Sequence, residues 1–271
     1  MGSFTNKTKF IVRKNAILMH QISIKFSEDI DQNELWHTFY ELLGYLRHNG
    51  QLLGRNMVPY MQENQISATF QTFTAEALNE HFFNKYVSDS VHKLEKFCHN
   101  RLIINHVGFG EDEQSSECKC IKYSYFLLMY HREYSPIVCG TCNKSVPLHR
   151  MPKLHDFGYW TLTNWQNVYF GAMLIDLNCG TGERWAMKQQ TDFDSGLSKQ
   201  GLELCQKISE TTGIKTYYFL ANFAKITQAK DIVRPCPSCG DAWHLDNEIH
   251  GYVRFKCDKC LLMSSYSSNW R

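Results

Sequence analysis

The sequence predicts an α+β chain in three parts. A ferredoxin-like first half of the βαββαβ type is followed by a mixed strand and helical middle region, then by a small β-hairpin module at the end. Three observations carry this expectation. Apolar residues up to about position 110 switch repeatedly between period-two and helical spacing. Two long helical patterns follow, over 164–177 and 192–213. The end of the chain holds two Cys-x-x-Cys pairs, Cys236/Cys239 and Cys257/Cys260, with seventeen residues between the inner cysteines.

In order along the chain, ILMHQISIKF (17–26) alternates and is β-rich, as a strand with one buried face should be. Asp31 stands where a helix N-cap belongs, ahead of LWHTFYELLGYL (35–46), whose apolar residues recur at helical spacing. QLLGRNMV (51–58) and QISATFQTF (65–73) read as two strands. VSDSVHKLEKFC (87–98) reads as a helix with Val87, Val91, Leu94 and Cys98 in line, and RLIINHVGF (101–109) as a closing strand. The acidic stretch GEDEQSSE (110–117) marks a boundary. YSYFLLMY (123–130) is a further strand, followed by the Cys-Gly-Thr-Cys turn 139–142. NWQNVYFGAMLIDL (164–177) puts Trp165, Val168, Tyr169, Ala172 and Ile175 on one helical face. The 192–213 helix aligns Leu197, Leu204, Cys205 and Ile208 and stops at Gly213. KTYYFL (215–220) is a short strand. The expected units are 1–115, 116–228 and 229–271.

Composition narrows the classes. The chain has 271 residues, 43% apolar and 14% aromatic, enough for a packed core rather than a disordered chain. A net charge of +2 excludes a strongly basic nucleic-acid coat protein. There is no run of apolar residues long enough for a membrane span, and the first twenty residues lack the apolar core of a secretion signal. Eleven cysteines, an odd number, suit a reducing compartment, so a cytoplasmic location is expected.

The terminal cysteines admit a disulfide, redox or metal reading. Two paired Cys-x-x-Cys turns argue against a thioredoxin-like site, which needs one such turn before a helix. Four thiolates from two tight turns, at hairpin spacing, match a structural zinc site held as a tetrahedron. A module of this size has too little core to fold alone, so the metal supplies stability. Trp243, Leu245, Tyr252, Val253 and Phe255 are the candidate apolar cover. A zinc-deaminase reading would join His131-Arg132-Glu133 to Pro235-Cys236-Pro237-Ser238-Cys239. The separation of those halves and the filling of the water position by Cys257 and Cys260 stand against it.

Cys139 and Cys142 look like half of a second metal site, with Cys118 and Cys120, His149 and His155, or Cys179 and Cys205 as candidate partners. Cys118-x-Cys120 is cramped, His149 and His155 lie close by, and Cys179 and Cys205 fit small core residues. Between 119 and 155, Lys119, Lys122, Arg132, Lys144, Arg150 and Lys153 face a single acid, Glu133, and are interleaved with Tyr123, Tyr125, Tyr130 and Tyr134. Such a stretch can neutralise phosphates and stack on bases of a single strand; a solvated face with core tyrosines is the plainer alternative. There is no phosphate loop, nucleophile elbow or His-Glu-x-x-His, and Asp192 and Asp194 fit the start of a helix.

The segments SPIVCGTCNKSVPLHRMP (135–152), 194–220 and 234–265 resemble a bacterial family of zinc-ribbon-containing proteins to which nucleic-acid binding has been ascribed. The resemblance implies zinc at Cys236, Cys239, Cys257 and Cys260 and marks Cys139 and Cys142. His149 stands where it would lead one to expect an aromatic residue such as tyrosine. The resulting expectation is a non-catalytic zinc-ribbon protein that binds nucleic acid through Lys122, Arg132, Lys144, Arg150 and Lys153. The alternative is a protein-binding module with purely structural zinc, such as a toxin antagonist or immunity partner. A metal-dependent nucleic-acid enzyme is the third reading.

Overall fold

The computed structural model describes residues 17–110, 117–178 and 180–268, the side chains of Arg55 and Asn56 excepted. The start of the chain, most of the acidic stretch, Cys179 and Arg271 therefore lie outside the described residues.

The first unit runs β1 (Leu18–Lys25), α1 (Gln32–His48), β2 (Leu53–Gln62), β3 (Gln65–Thr72), α2 (Lys85–Cys98) and β4 (Ile103–Phe109). Its sheet has the order β2-β3-β1-β4, and every neighbouring pair is antiparallel. Period-two alternation turns Ile22 and Ile24 of β1, with Ile66, Ala68 and Phe70 of β3, toward the helices. There they meet Leu35, Phe39, Leu42 and Leu46 of α1 and Val87, Leu94 and Cys98 of α2. Asp31 caps α1 by accepting from the Asn33 amide at 2.9 Å, and Asn84 caps α2 from Val87 at 3.0 Å. Two short 3-10 turns lie between β3 and α2, and the first carries Glu76.

The second sheet contains β5 (Phe126–Leu128), β6 (Ile137–Cys139), β7 (Thr216–Leu220), β8 (His244–Ile249), β9 (Val253–Cys257) and β10 (Leu262–Ser264), in the order β6-β5-β7-β10-β9-β8. β7 runs parallel to both β5 and β10, while the other ladders are antiparallel. Helices α3 (Trp160–Asn178), α4 (Glu183–Thr191) and α5 (Gly196–Thr212) lie between β6 and β7 in sequence. α5 approaches β7 so closely that a Cβ on Gly201 would fall 2.3 Å from the Tyr218 ring. The short α6 (Gln228–Ile232) leads into the terminal hairpin. Its buried Asp231 accepts from the Ser267 amide at 2.6 Å and pairs with Arg234 at 2.8 Å. Leu262, Met263 and Ser264 pair with Tyr218, Phe219 and Leu220, so the stretches 116–228 and 229–271 share one sheet.

Several elements differ from expectation. The 123–130 strand contracts to three residues, because Tyr130 leaves the ladder to stack on Tyr169 at 4.8 Å. Along α3, Trp165, Tyr169 and Ala172 are buried, yet Val168 is 49% exposed. That helix is apolar on nearly every side, so spacing alone does not select its buried face. The two units meet where the end of α1 faces 148–167. The Tyr159 amide donates to the His48 carbonyl at 2.6 Å, and Arg47 donates to Asn167 at 2.8 Å. Gly50, at φ 79°, sits where a Cβ would be 2.5 Å from that of Leu148.

Candidate metal centres

Two tight turns build the terminal centre. Cys236 and Cys239 precede β8, Cys257 ends β9, and Cys260 lies in the turn into β10. The first turn is closed by the Gly240 amide donating to Cys236 O at 2.9 Å and the Cys236 amide donating to Asp241 O at 2.8 Å, with Gly240 at φ 77°. All four sulfurs lie within 4.8 Å of one another. A tetrahedral zinc with bonds of about 2.3 Å sets an edge of about 3.8 Å between sulfurs. The Cys239 and Cys257 sulfurs are 3.7 Å apart, close to that edge and far beyond a disulfide bond. Trp243 and Phe255 share the core cluster of Cys236 and Cys257, and the Arg234 guanidinium lies 3.9 Å over the Phe255 ring. Leu245, Tyr252 and Val253 belong instead to a separate cluster with Leu127, Val138, Tyr217 and Met263.

The second centre joins Cys139 and Cys142 to Cys118 and Cys120, again with all sulfurs within 4.8 Å. Cys118 and Cys139 are buried, Cys120 and Cys142 half-buried. The Cys118 amide donates to Ser145 O at 2.8 Å, which ties the Cys-x-Cys segment to the chain leaving the Cys-x-x-Cys turn. The Cys120 amide then turns back onto Cys118 Sγ at 3.4 Å. An extended Cys-x-Cys would put both sulfurs on one side but about 6–7 Å apart, and the bend brings them within 4.8 Å, close enough to share an ion. The Thr141 amide likewise donates to Cys139 Sγ at 3.4 Å, a contact that favours thiolate. His149 is buried elsewhere, 3.9 Å from Glu76, and His155 faces Thr161 at 3.5 Å. Cys205 is a core residue of α5, where burial pushes its thiol well up. Both four-cysteine groups could hold a metal such as zinc. Loading exchanges four thiol protons for a divalent ion, a change of about −2 per centre. Two loaded centres would take the formal charge from +2 to about −2.

The basic residues of 119–153 do not form one face. Lys122 and Lys144 are exposed beside the second centre, as is Lys119. Arg132 is exposed, 3.1 Å from Glu133 and 5.7 Å over the Phe170 ring. Arg150 turns to the first unit: its Nε donates to Glu76 at 2.8 Å, and its Nη1 lies 2.9 Å from the buried Glu117. Lys153 donates to Asn49 O at 3.0 Å beneath the Tyr159 ring, where burial pushes its ammonium down to about 8. Arg150 and Lys153 thus hold the two units together instead of facing a phosphate backbone. The tyrosines are also occupied: Tyr134 is buried against Phe73, Tyr130 stacks on Tyr169, and Tyr125 meets Tyr217 edge-on. His131 accepts the Tyr134 amide at 3.3 Å within its own turn. Asp192 accepts the Asp194 amide at 2.9 Å ahead of α5.

Fold and site together define a mixed α/β protein with two sheets, a helical middle and paired four-cysteine centres, the last carried partly on C-terminal strands. Three family models match it, each described as a domain of unknown function: DUF8589 over residues 19–108, DUF2310 over 120–221 and DUF8594 over 226–270. Two proteins of Haemophilus influenzae, both described as uncharacterized, are similar to it. One is 28% identical over 235 residues, covering 83% of this chain and 88% of the relative. The other is 30% identical over 164 residues, covering 59% of this chain and 81% of the relative, and the chain belongs to the family of these proteins. A solved structural-genomics protein, YJCS, aligns with 33% of the chain and 99% of its own at 23% identity, with a TM-score of 0.24, too loose a superposition to carry an argument. Among the described residues no helix is long and apolar enough to cross a membrane.

Proposed function

We propose that the chain is a non-catalytic binding protein whose four-cysteine centres hold structural zinc and whose partner is a protein. The antiparallel order β2-β3-β1-β4 supports reading the first unit as a ferredoxin-like split βαβ sandwich, and the terminal hairpin as a zinc ribbon. Four thiolates per centre fill a tetrahedron and leave no position for a reacting water, which supports a structural role.

The observation that carries the choice of partner is the apolar surface of α3 and α4. Leu174 and Leu177, one turn apart on α3, are exposed to 41% and 70%, and Trp185 of α4 to 54%, in a chain whose Arg150 and Lys153 are turned to the first unit. Exposed apolar groups on adjacent helices favour protein docking over a phosphate backbone. Pull-down with the zinc-loaded chain should recover a protein that survives nuclease treatment. Leu177→Glu with Trp185→Glu should release it while zinc content stays at two per chain. Recovery of the same partner by that variant would reject this surface.

A second reading, nucleic-acid binding, is favoured by Lys119, Lys122 and Lys144 around the Cys118–Cys142 centre. The same lysines would also offset the negative charge of a zinc tetrathiolate. Nucleic-acid affinity that falls steeply with salt and is lost in Lys122→Glu/Lys144→Glu would select this reading.

A further inference from the structure

The two centres are in physical contact through a shared set of side chains, and we propose that they load metal as a cooperative pair. This inference rests on the metal reading above and adds its regulation. At the tip of the β8–β9 hairpin, His250 and Gly251 both take left-handed backbone angles, φ 54° and 81°, in a tight turn where the Tyr252 amide donates to Ile249 O at 3.3 Å. The tip thereby reaches the other centre. His250 Nε2 lies 2.9 Å from Gly140 O, and Tyr252 Oη donates to Asn143 Oδ1 at 2.8 Å. Gly140 lies inside the Cys139–Cys142 turn and Asn143 directly follows it, while β9 of the same hairpin ends in Cys257.

A second route crosses the sheet. The Gly140 amide donates to Tyr125 O at 2.9 Å, and a Cβ at position 140 would fall 2.5 Å from the Tyr125 ring. Tyr125 meets Tyr217 edge-on at 5.3 Å. The Tyr217 hydroxyl donates to Asp258, which lies within the Cys257–Cys260 turn. Both turns are therefore packed on one chain of groups.

The physical consequence is an ordering cost shared by both sites. Closing one thiolate tetrahedron fixes its turn and the side chains packed on it. The second ion then meets a partner turn already held in place, so its affinity rises. Linkage makes the effect mutual.

Native mass spectrometry of the reduced, metal-free chain with one equivalent of zinc reads this directly. The parent should show mainly empty and doubly loaded molecules. His250→Ala/Tyr252→Phe keeps the eight thiols of both centres and should raise the singly loaded fraction about fivefold, toward the one-half of equal independent sites. Tyr217→Phe, which removes one hydroxyl, should move it the same way and serves if the double variant does not fold. A parent distribution of independent sites overturns the coupling and leaves the metal reading standing. Variants indistinguishable from a cooperative parent overturn the proposed route. A chain that takes up no zinc removes both.

Discussion

The His48 ring shows how a single buried group makes stability depend on pH. Its Nδ1 lies 2.7 Å from Thr163 Oγ1, and that hydroxyl donates to Trp160 O, so the ring Nδ1–H is the donor to the hydroxyl. Burial first, then Arg47 and His155, hold its pKa at about 4 against an ordinary 6.5. His20 and His149 are held down to about 4 as well, again chiefly by burial. As pH falls below the ordinary value, the unfolded chain takes up these protons first, so stability is level above 6.5 and declines toward 4. His48→Gln, which keeps a donor to Thr163, should decline less steeply than the parent in denaturation midpoints measured from pH 7 to pH 5. Parallel declines would contradict this. At this scale the sequence was most legible where spacing carries chemistry, as at Cys236, Cys239, Cys257 and Cys260. Cys118 and Cys120 are harder to read, because their close spacing suits a shared ion only through the bend at the Cys120 amide, a tertiary feature. The charge of Arg150 suits a phosphate contact but says nothing of direction, and its partner Glu76 lies 74 residues upstream.

Helices and strands were legible where one face is buried and the ends are capped. α1, α2 and α5 begin at Asp31, Asn84 and Ser195, whose side chains accept amides of the first turn, and α5 stops at Gly213 with φ 72°. α4 and α6 leave little signal in the sequence, being short, and neither has a side-chain cap. β10 leaves none, because its three residues acquire strand character only from their neighbours β7 and β9. The packing of α5 on β7 is the tightest helix–strand approach at a glycine, and it gives a prediction at this scale. Gly201→Ala would place a methyl into the Tyr218 ring, with Trp165 Nε1 also 3.1 Å away. Overpacking of this kind costs about 1–3 kcal/mol, against the small gain in helix propensity. A lower thermal midpoint is expected. An unchanged one would mean that the ring moves freely.

For the molecule as a whole, the parallel pairing of β10 with β7 removes any clean seam between the terminal hairpin and the middle region. Chelation of the Cys236–Cys260 centre should therefore do more than loosen a tail. Hydrogen exchange is expected to rise in β8, β9 and β10, and also in β7, whose Tyr217, Tyr218 and Leu220 are buried. Exchange confined to the hairpin would show that the shared sheet does not transmit the loss. The first unit should respond least, since its core of Ile22, Phe39, Phe70 and Leu94 forms a separate cluster.

The four-thiol design also has an electrophoretic consequence. At neutral pH a stripped, reduced molecule carries a small positive charge and drifts toward the cathode, whereas a fully loaded one carries a small negative charge and drifts toward the anode. Native gels or ion-exchange columns thus separate metal states of this protein by the direction of migration, without any label.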